Sequence, residues 1–530
     1  MVTVKKLRVV LRWTGRALLV LLAILALFIL EENIRGHILL ARYKAELRAK
    51  GEKLTVAELN LPNPTKPSDA AVVLLSSGDE LREFGKSCPF SVYMIPRLQF
   101  VQPGCCLVRW LQPDSGLKLV NVNITGTRPG GGRRYRAMQQ ETELTPLPKP
   151  PPAQMCDWEQ FERQIDLTRE PVHNAREALR HLPLEAPIDY GLGPKARIPQ
   201  IAVGSIAVWL TATALDDLRC NRLGSASENI LTIVLLTHFL QSDRMVILQQ
   251  QRVSMGEVGL NITWEALQAP GWTDEQLRGL QVAWDKASVI NEFEAATEVE
   301  RAMILDEWDS VVHRPMREFL GWSETNMLSW DDVSRLLRGI VWYVAWRQQD
   351  QARGVWLWAE GVDAVRAAVG ESKWIVARDV FKRTEQDEWK HGWIFYDQWR
   401  YQMSIPDMPS GTTWGPENLG YDVKRLLEYE TRREMTVAAI ALKRFELRHN
   451  KPAPDLTALV PEFLARVPHD YMDGGKLRYR LNTDGTWSLY SVGEDGVDNG
   501  GDPRPLEPRR LLFSIWAGRD AVWPQPALER

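Results

Sequence analysis

The sequence predicts a mainly α-helical, membrane-anchored protein that ends in a small α+β module, and three observations carry that reading. An apolar run from Trp13 to Leu30 is long enough to cross a bilayer as one helix. Between Trp158 and Glu430 apolar residues recur at helical spacing, separated by turn signals. From Thr431 onward the pattern becomes helix, short helix and β-hairpin.

As a helix, Trp13 to Leu30 rises about 27 Å against a hydrocarbon core of roughly 30 Å. Its one charge, Arg16, lies near an end and can snorkel to the interface. Lys5, Lys6, Arg8, Arg12 and Arg16 lie on the N-terminal side, and Glu31 and Glu32 follow on the other. The positive-inside rule therefore predicts a single pass through a bacterial inner membrane, with the N-terminus cytoplasmic and the bulk of the chain periplasmic. A cleaved signal peptide is the rival reading, but it needs small residues at a cleavage site, and here Glu31, Glu32, Asn33 and Ile34 follow. The helical pattern runs on through Ile38, Leu39, Tyr43 and Leu47, which favours a retained anchor.

The 530 residues, 45% hydrophobic and 25% charged, suit two to four globular domains with a sizeable core. A net charge of -3 spread without a basic stripe excludes the electrostatic footprint of a nucleic-acid binder. The cysteines, Cys88, Cys105, Cys106, Cys156 and Cys220, show no metal spacing. One or two disulfides or buried thiols are both compatible with them.

Six segments are expected. Residues 1–33 form the cytoplasmic tip and transmembrane anchor. Residues 34–68 form a helical stalk stopped by Gly51 and a linker broken by Pro62, Pro64 and Pro67. Residues 69–157 hold a short helix (Asp69 to Phe84), strands near Phe100, Leu107 to Leu111 and Leu117 to Thr125, and a polyproline spacer at 146–152. The body, 158–430, reads as an array of helical hairpins, in which Ile201 to Leu215 and Ile230 to Leu240 are core helices rather than further spans. Thr273 with Gln276, and Ser329 with Asp332, are helix-start signals there. Residues 431–508 form the α+β module and 509–530 a tail.

Of 22 tryptophans, nine crowd together: Trp342, Trp346, Trp356, Trp358, Trp374, Trp389, Trp393, Trp399 and Trp414. Core packing is one reading; a stacking platform for glycans, the cleft of an envelope hydrolase, is the other. The motifs of the strong enzyme classes, H-E-x-x-H, G-x-S-x-G, Walker and G-x-G-x-x-G, do not occur in the chain. Glu388/His391 and Glu446/His449 match E-x-x-H of di-iron bundles, a pattern that also arises by chance. The acidic run Glu292, Glu294, Glu298, Glu300 reads as a solvated helix face.

In the last module a helix from Arg432 to His449 buries Val437, Ile440, Ala441, Phe445 and Leu447, and Lys451-Pro-Ala-Pro454 stops it. Asp455 caps a short helix, and Leu477 to Leu481 and Trp487 to Ser491 alternate as a hairpin. The stretches ALKRFELRHNKPAPDLTALVPEFLARVPHDYMDGGKLRYR and WSLYSVGEDGVDNGGD carry this order. They resemble the globular part of type II secretion major pseudopilins. The resemblance covers this module only, and the family's peptidase site and hydrophobic helix do not precede the module here. It implies that the loop Gly493 to Asp502 binds calcium through Asp495, Asp498, Asn499 and Asp502. Read from the residues alone, several carboxylates in a glycine-rich loop suit a hard cation, and an acidic turn without metal fits equally. The expected protein is a non-enzymatic envelope scaffold, anchored in the lipid bilayer, that presents this module to an envelope or secretion protein partner. The alternative is the glycan hydrolase.

Overall fold

The computed structural model describes residues 2–62, 66–87, 99–100, 108–109, 158–184, 188–196, 199–313, 340–390, 416–483, 486–504 and 515–523. The expected strand at Leu117 to Thr125, the polyproline spacer and the Ser329 start signal lie outside them.

Anchor and stalk form one uninterrupted helix, α1 (Val2–Ala49). From Trp13 to Leu30 its side chains face outward except for the half-buried Ile29, as an apolar membrane helix requires. Gly51, at φ +83°, ends it. Below the apolar run the helix changes environment at once. Glu32 is buried, and its carboxylate accepts hydrogen bonds from Trp346 Nε1 at 3.0 Å and Gln349 Nε2 at 2.9 Å. Asn33 Nδ2 donates to the carbonyl of Val344 at 3.0 Å, inside a π-helical turn spanning Trp342–Trp346. Gly36 permits the close approach, because a Cβ there would lie 2.9 Å from the backbone nitrogen of Gln349. The stalk therefore lies along the body.

Further down, Leu47 and Leu54 are buried with Leu305 and Val355, flanked by Leu40, Tyr43 and Ala359. Each such leucine contributes about 1.5–3 kcal/mol. Lys44 pairs with Asp309 at 3.1 Å, and Val56 N–H donates to Asp306 at 2.8 Å. Burial pushes the Glu52 carboxyl up, but hydrogen bonds from Arg366 and Arg301 outweigh it and hold the group at about 2.

The body packs α2 (Asp69–Ser87) against α3 (Trp158–Leu179) and α4 (Gln200–Arg219). It continues through α5 (Leu223–Phe239), α6 (Val246–Gln268), α7 (Asp274–Asp285) and α8 (Ile290–His313). After the π turn come α9 (Arg347–Glu371), on which α1 lies, and α10 (Trp374–Lys390). Helices α4 and α5 are core elements, as expected: α4 is long and apolar enough to cross a membrane but is largely buried within the body. Thr273 and Gln276 form the reciprocal capping box.

The longest interior element, α11 (Pro416–His449), runs across the expected boundary between body and module and touches α6, α7, α9 and α10. Val437, Ile440, Ala441 and Phe445 are buried as expected, whereas Leu447 is exposed because the last turn extends past the core. Asp455 caps the short 3-10 helix Leu456–Leu459 through Thr457 N and Ala458 N. The ribbon β1 (Gln99–Phe100)/β2 (Val108–Arg109) lies between α2 and α3 in the chain. In the module, β3 (His469–Asp470) pairs with β4 (Gly475–Lys476). The hairpin β5 (Arg478–Leu481)/β6 (Trp487–Ser491) gains a third antiparallel strand, β7 (Ala521–Trp523), from the segment read as a tail. The buried carboxylate of Asp470 joins these pieces, accepting from Met472 N, Ser491 Oγ, Val492 N and Arg478 Nη1.

Glu32→Ala removes the carboxylate that accepts from Trp346 Nε1 and Gln349 Nε2, leaving Gln349 its bond to the residue-32 carbonyl at 2.7 Å, a loss of roughly 1–3 kcal/mol. Thermal unfolding of the detergent-solubilised chain should show a lowered midpoint for this variant and for Gly36→Val, while the exposed-site control Glu31→Ala should melt like the parent.

Candidate functional site

Two rows of polar residues meet in the interior. On α11, Asp422, Arg425 and Arg432 follow one another at helical spacing, and on α6 so do Gln250, Ser254, Glu257 and Asn261. Gln250 Nε2 donates to the Asp422 carbonyl at 3.2 Å. Arg425 Nη2 reaches Ser254 Oγ at 3.3 Å and Glu257 Oε2 at 2.8 Å, and Arg432 bonds Asn261 Oδ1. Gly256 lets the helices close, because a Cβ there would collide with the Tyr429 ring.

Burial raises three carboxyls at this seam well above the ordinary range. Asp422 is pushed up to about 7, with Arg425 opposing and Glu300 reinforcing the shift. Glu300 itself rises to about 7, opposed only by the backbone N–H of Val246. Glu428 rises to about 8; Lys424 draws it down, and the Glu257 and Glu494 carboxylates push it further up. A carboxyl that keeps its proton near neutral pH is able to donate it.

The acidic loop closes the outer end of the seam. Lys424 Nζ pairs with Glu494 at 3.0 Å, Arg378 Nη1 donates to the Asp495 carbonyl at 3.2 Å, and Gly496 seats against Ile375. Within the loop, Asp495 accepts from Val497 N at 2.9 Å and Asp498 from Gly500 N at 2.9 Å, so each closes its own turn. Asn499 Nδ2 donates to the Val497 carbonyl. Hydrogen bonding from Arg504 holds Asp502 down at about 2, with Arg519 adding to it. The loop's backbone N–H groups at Asn499, Gly501 and Asp502 converge instead on Asp520, a fully buried carboxylate just ahead of β7. Asp495, Asp498 and Asp502 are not drawn together; among the described residues the one convergent acidic or thiol trio is Glu162, Asp216 and Cys220. There Arg219 bridges Glu162 and Asp216 and Arg222 also pairs with Asp216 at 2.6 Å, so two guanidiniums already balance the two carboxylates.

Trp342, Trp346, Trp358 and Trp374 are buried, and the indole N–H groups of the first two bond Asp350 and Glu32. Trp356 is half-buried; Trp393, Trp399 and Trp414 lie outside the described residues, as does His391. His449 lies over Phe445, with ring centroids 4.3 Å apart, at the surface end of α11.

The acidic run on α8 is not a solvated face. Glu294 and Glu298 both grip Arg366, Glu292 accepts from Gln241 at 2.8 Å, and Glu300 turns inward. Four helices converge there, a fact that charge spacing along α8 alone does not reveal. Asp422, Glu428 and Asp520 were likewise not singled out in the sequence. Asp and Glu occur on every side of α11, and Asp520 sits in a segment without strand-length patterning.

Compared with protein-family models, curated proteins and solved structures, the chain matches none.

The raised carboxyls set the pH dependence. Their folded pKa values lie above the unfolded ones, so their stabilising share is full below about pH 4 and is lost as pH rises through about 7 to 8. Glu52 and Asp502, held at about 2, act oppositely, losing their share as pH falls toward 2. The melting temperature should therefore decline between pH 5 and pH 8, and Glu428→Gln, which has no proton to lose, should flatten that decline.

Proposed function

We propose that the chain is a single-pass membrane protein of the bacterial envelope that acts as a non-enzymatic scaffold. Its body is held in fixed orientation at the periplasmic face, and the C-terminal module is offered to an envelope or secretion protein. The observation that carries this reading is the continuity of α1, whose apolar half is exposed while the next turns are clamped by Trp346, Gln349 and Val344. A rigid junction suits a part that sets the distance and direction of another protein relative to the membrane.

The module's order of helix, short helix, hairpin and acidic loop, together with its likeness to major pseudopilins, supports a secretion or envelope-assembly partner. Helix α11 is enclosed by α6, α7, α9 and α10, so packing into a filament through that helix would require the body to open. A role beside such a filament, as a membrane-fixed contact, fits the enclosure better. The glycan-hydrolase alternative rests on an open tryptophan groove, and the four buried tryptophans of that run supply no such surface.

The test is crosslinking in intact cells from a photoreactive residue placed at the exposed Leu481 of β5, followed by purification under denaturing conditions. Adducts with a defined envelope or secretion protein are the expected result. Labelling of the chain alone, or of cytoplasmic proteins, would contradict the proposal.

A further inference from the structure

Where α6, α8 and α11 meet, three side-chain oxygens are buried without a hydrogen-bond partner: Gln250 Oε1, Glu300 Oε2 and Asp422 Oδ2. Gln250 and Asp422 are each only 6% exposed. Leaving such an acceptor unanswered costs about 1–3 kcal/mol, more for a charged group, so several together are unusual in a settled core. The three side chains are linked through the first turns of α6. Val246 and Gln250 are one turn apart on the same face of α6; Glu300 reaches the Val246 N–H, and Gln250 binds the Asp422 backbone carbonyl. Burial pushes the Asp422 carboxyl up, and the Glu300 charge adds to that push. Arg425, whose charge draws Asp422 down, is turned along α6 to Ser254 and Glu257.

We propose that Glu300, Asp422 and the Gln250 amide oxygen form a binding site for one calcium ion, fastening α8 and α11 to the start of α6. The donor set consists of oxygens alone, two of them carboxylates whose combined charge balances a divalent ion, and an amide oxygen is an ordinary calcium ligand. Calcium tolerates irregular coordination completed by water, whereas magnesium demands a near-octahedral shell and gives up water reluctantly. A cation binds the ionised carboxylates only, so binding displaces whatever protons they hold. The site is separate from the surface loop Gly493 to Asp502.

The test uses the full chain in nanodiscs after chelator treatment, titrated with calcium chloride at pH 7 by calorimetry in two buffers of different ionisation enthalpy. Expected are one bound calcium per chain, release of protons to the buffer, a melting temperature raised by several degrees, and a smaller rise with magnesium. Glu300→Gln with Asp422→Asn should abolish the binding and proton release. These amides replace buried carboxyls at nearly equal volume and should melt no lower than the calcium-free parent. Gln250→Leu, which keeps both carboxylates, should weaken the binding and serves as the second variant should the double substitution fail to fold. Asp495→Asn with Asp498→Asn should leave it intact. Unchanged melting of the parent in calcium would overturn the proposal, as would equal response to magnesium, retained binding in the Glu300/Asp422 variant, or loss only in the loop variant.

Discussion

The buried carboxylate of Glu32 is the constraint on which the rest of the molecule depends. It stands directly below the apolar part of α1, and a carboxylate taken out of water there must be fully hydrogen-bonded or it destabilises the fold. Trp346 and Gln349 supply those bonds from the π turn and the start of α9, and Gly36 removes the side chain that would hold the helices apart. A π turn widens the helix locally and makes its backbone available to neighbours. Asn33 takes the Val344 carbonyl there. From Glu32 onward the helix that carries the apolar run thus becomes a packed element of the body.

The interior continues this reliance on polar contacts. Arg366 gathers Glu52, Glu294 and Glu298 from two other parts of the chain, and Arg433 bridges Glu430 and Glu434 within α11 while donating to the Trp284 carbonyl. Such buried pairs contribute little net stability against apolar replacements, but breaking one partner is costly, so they favour one register of packing over others. Helix α11 is their common wall. Its inner face meets α6 and α7, and beyond residue 449 the same chain forms the module, so body and module share one apolar core reaching from Leu59 to Trp523.

Local rules in the sequence carried well into the structure. The Thr273 capping box, the Asp455 cap, the Gly51 stop and the β5–β6 hairpin each depend on a few neighbouring residues, and each is present. What escaped was long-range. The polar residues Glu32 and Asn33 on α1 and Glu52 just past its end look solvated, yet their partners lie some three hundred residues away at Val344, Trp346 and Arg366. The carboxyls of Glu300, Asp422 and Glu428 are ordinary acidic residues on helices until three helices close over them. β7 is too short to show alternation, and it becomes a strand only because β6 offers an unpaired edge.

Whether membrane helix and body move as one is read most directly from a distance distribution across the junction. Spin labels at Leu27→Cys on the apolar part of α1 and Val282→Cys on α7, both exposed positions, in a chain whose native cysteines are replaced by serine, would be measured by pulsed dipolar spectroscopy in nanodiscs. A single narrow distance peak is the result expected of a clamped anchor. A broad distribution, as narrow in neither lipid nor detergent, would mean that α1 swivels on the body and would contradict the rigid junction.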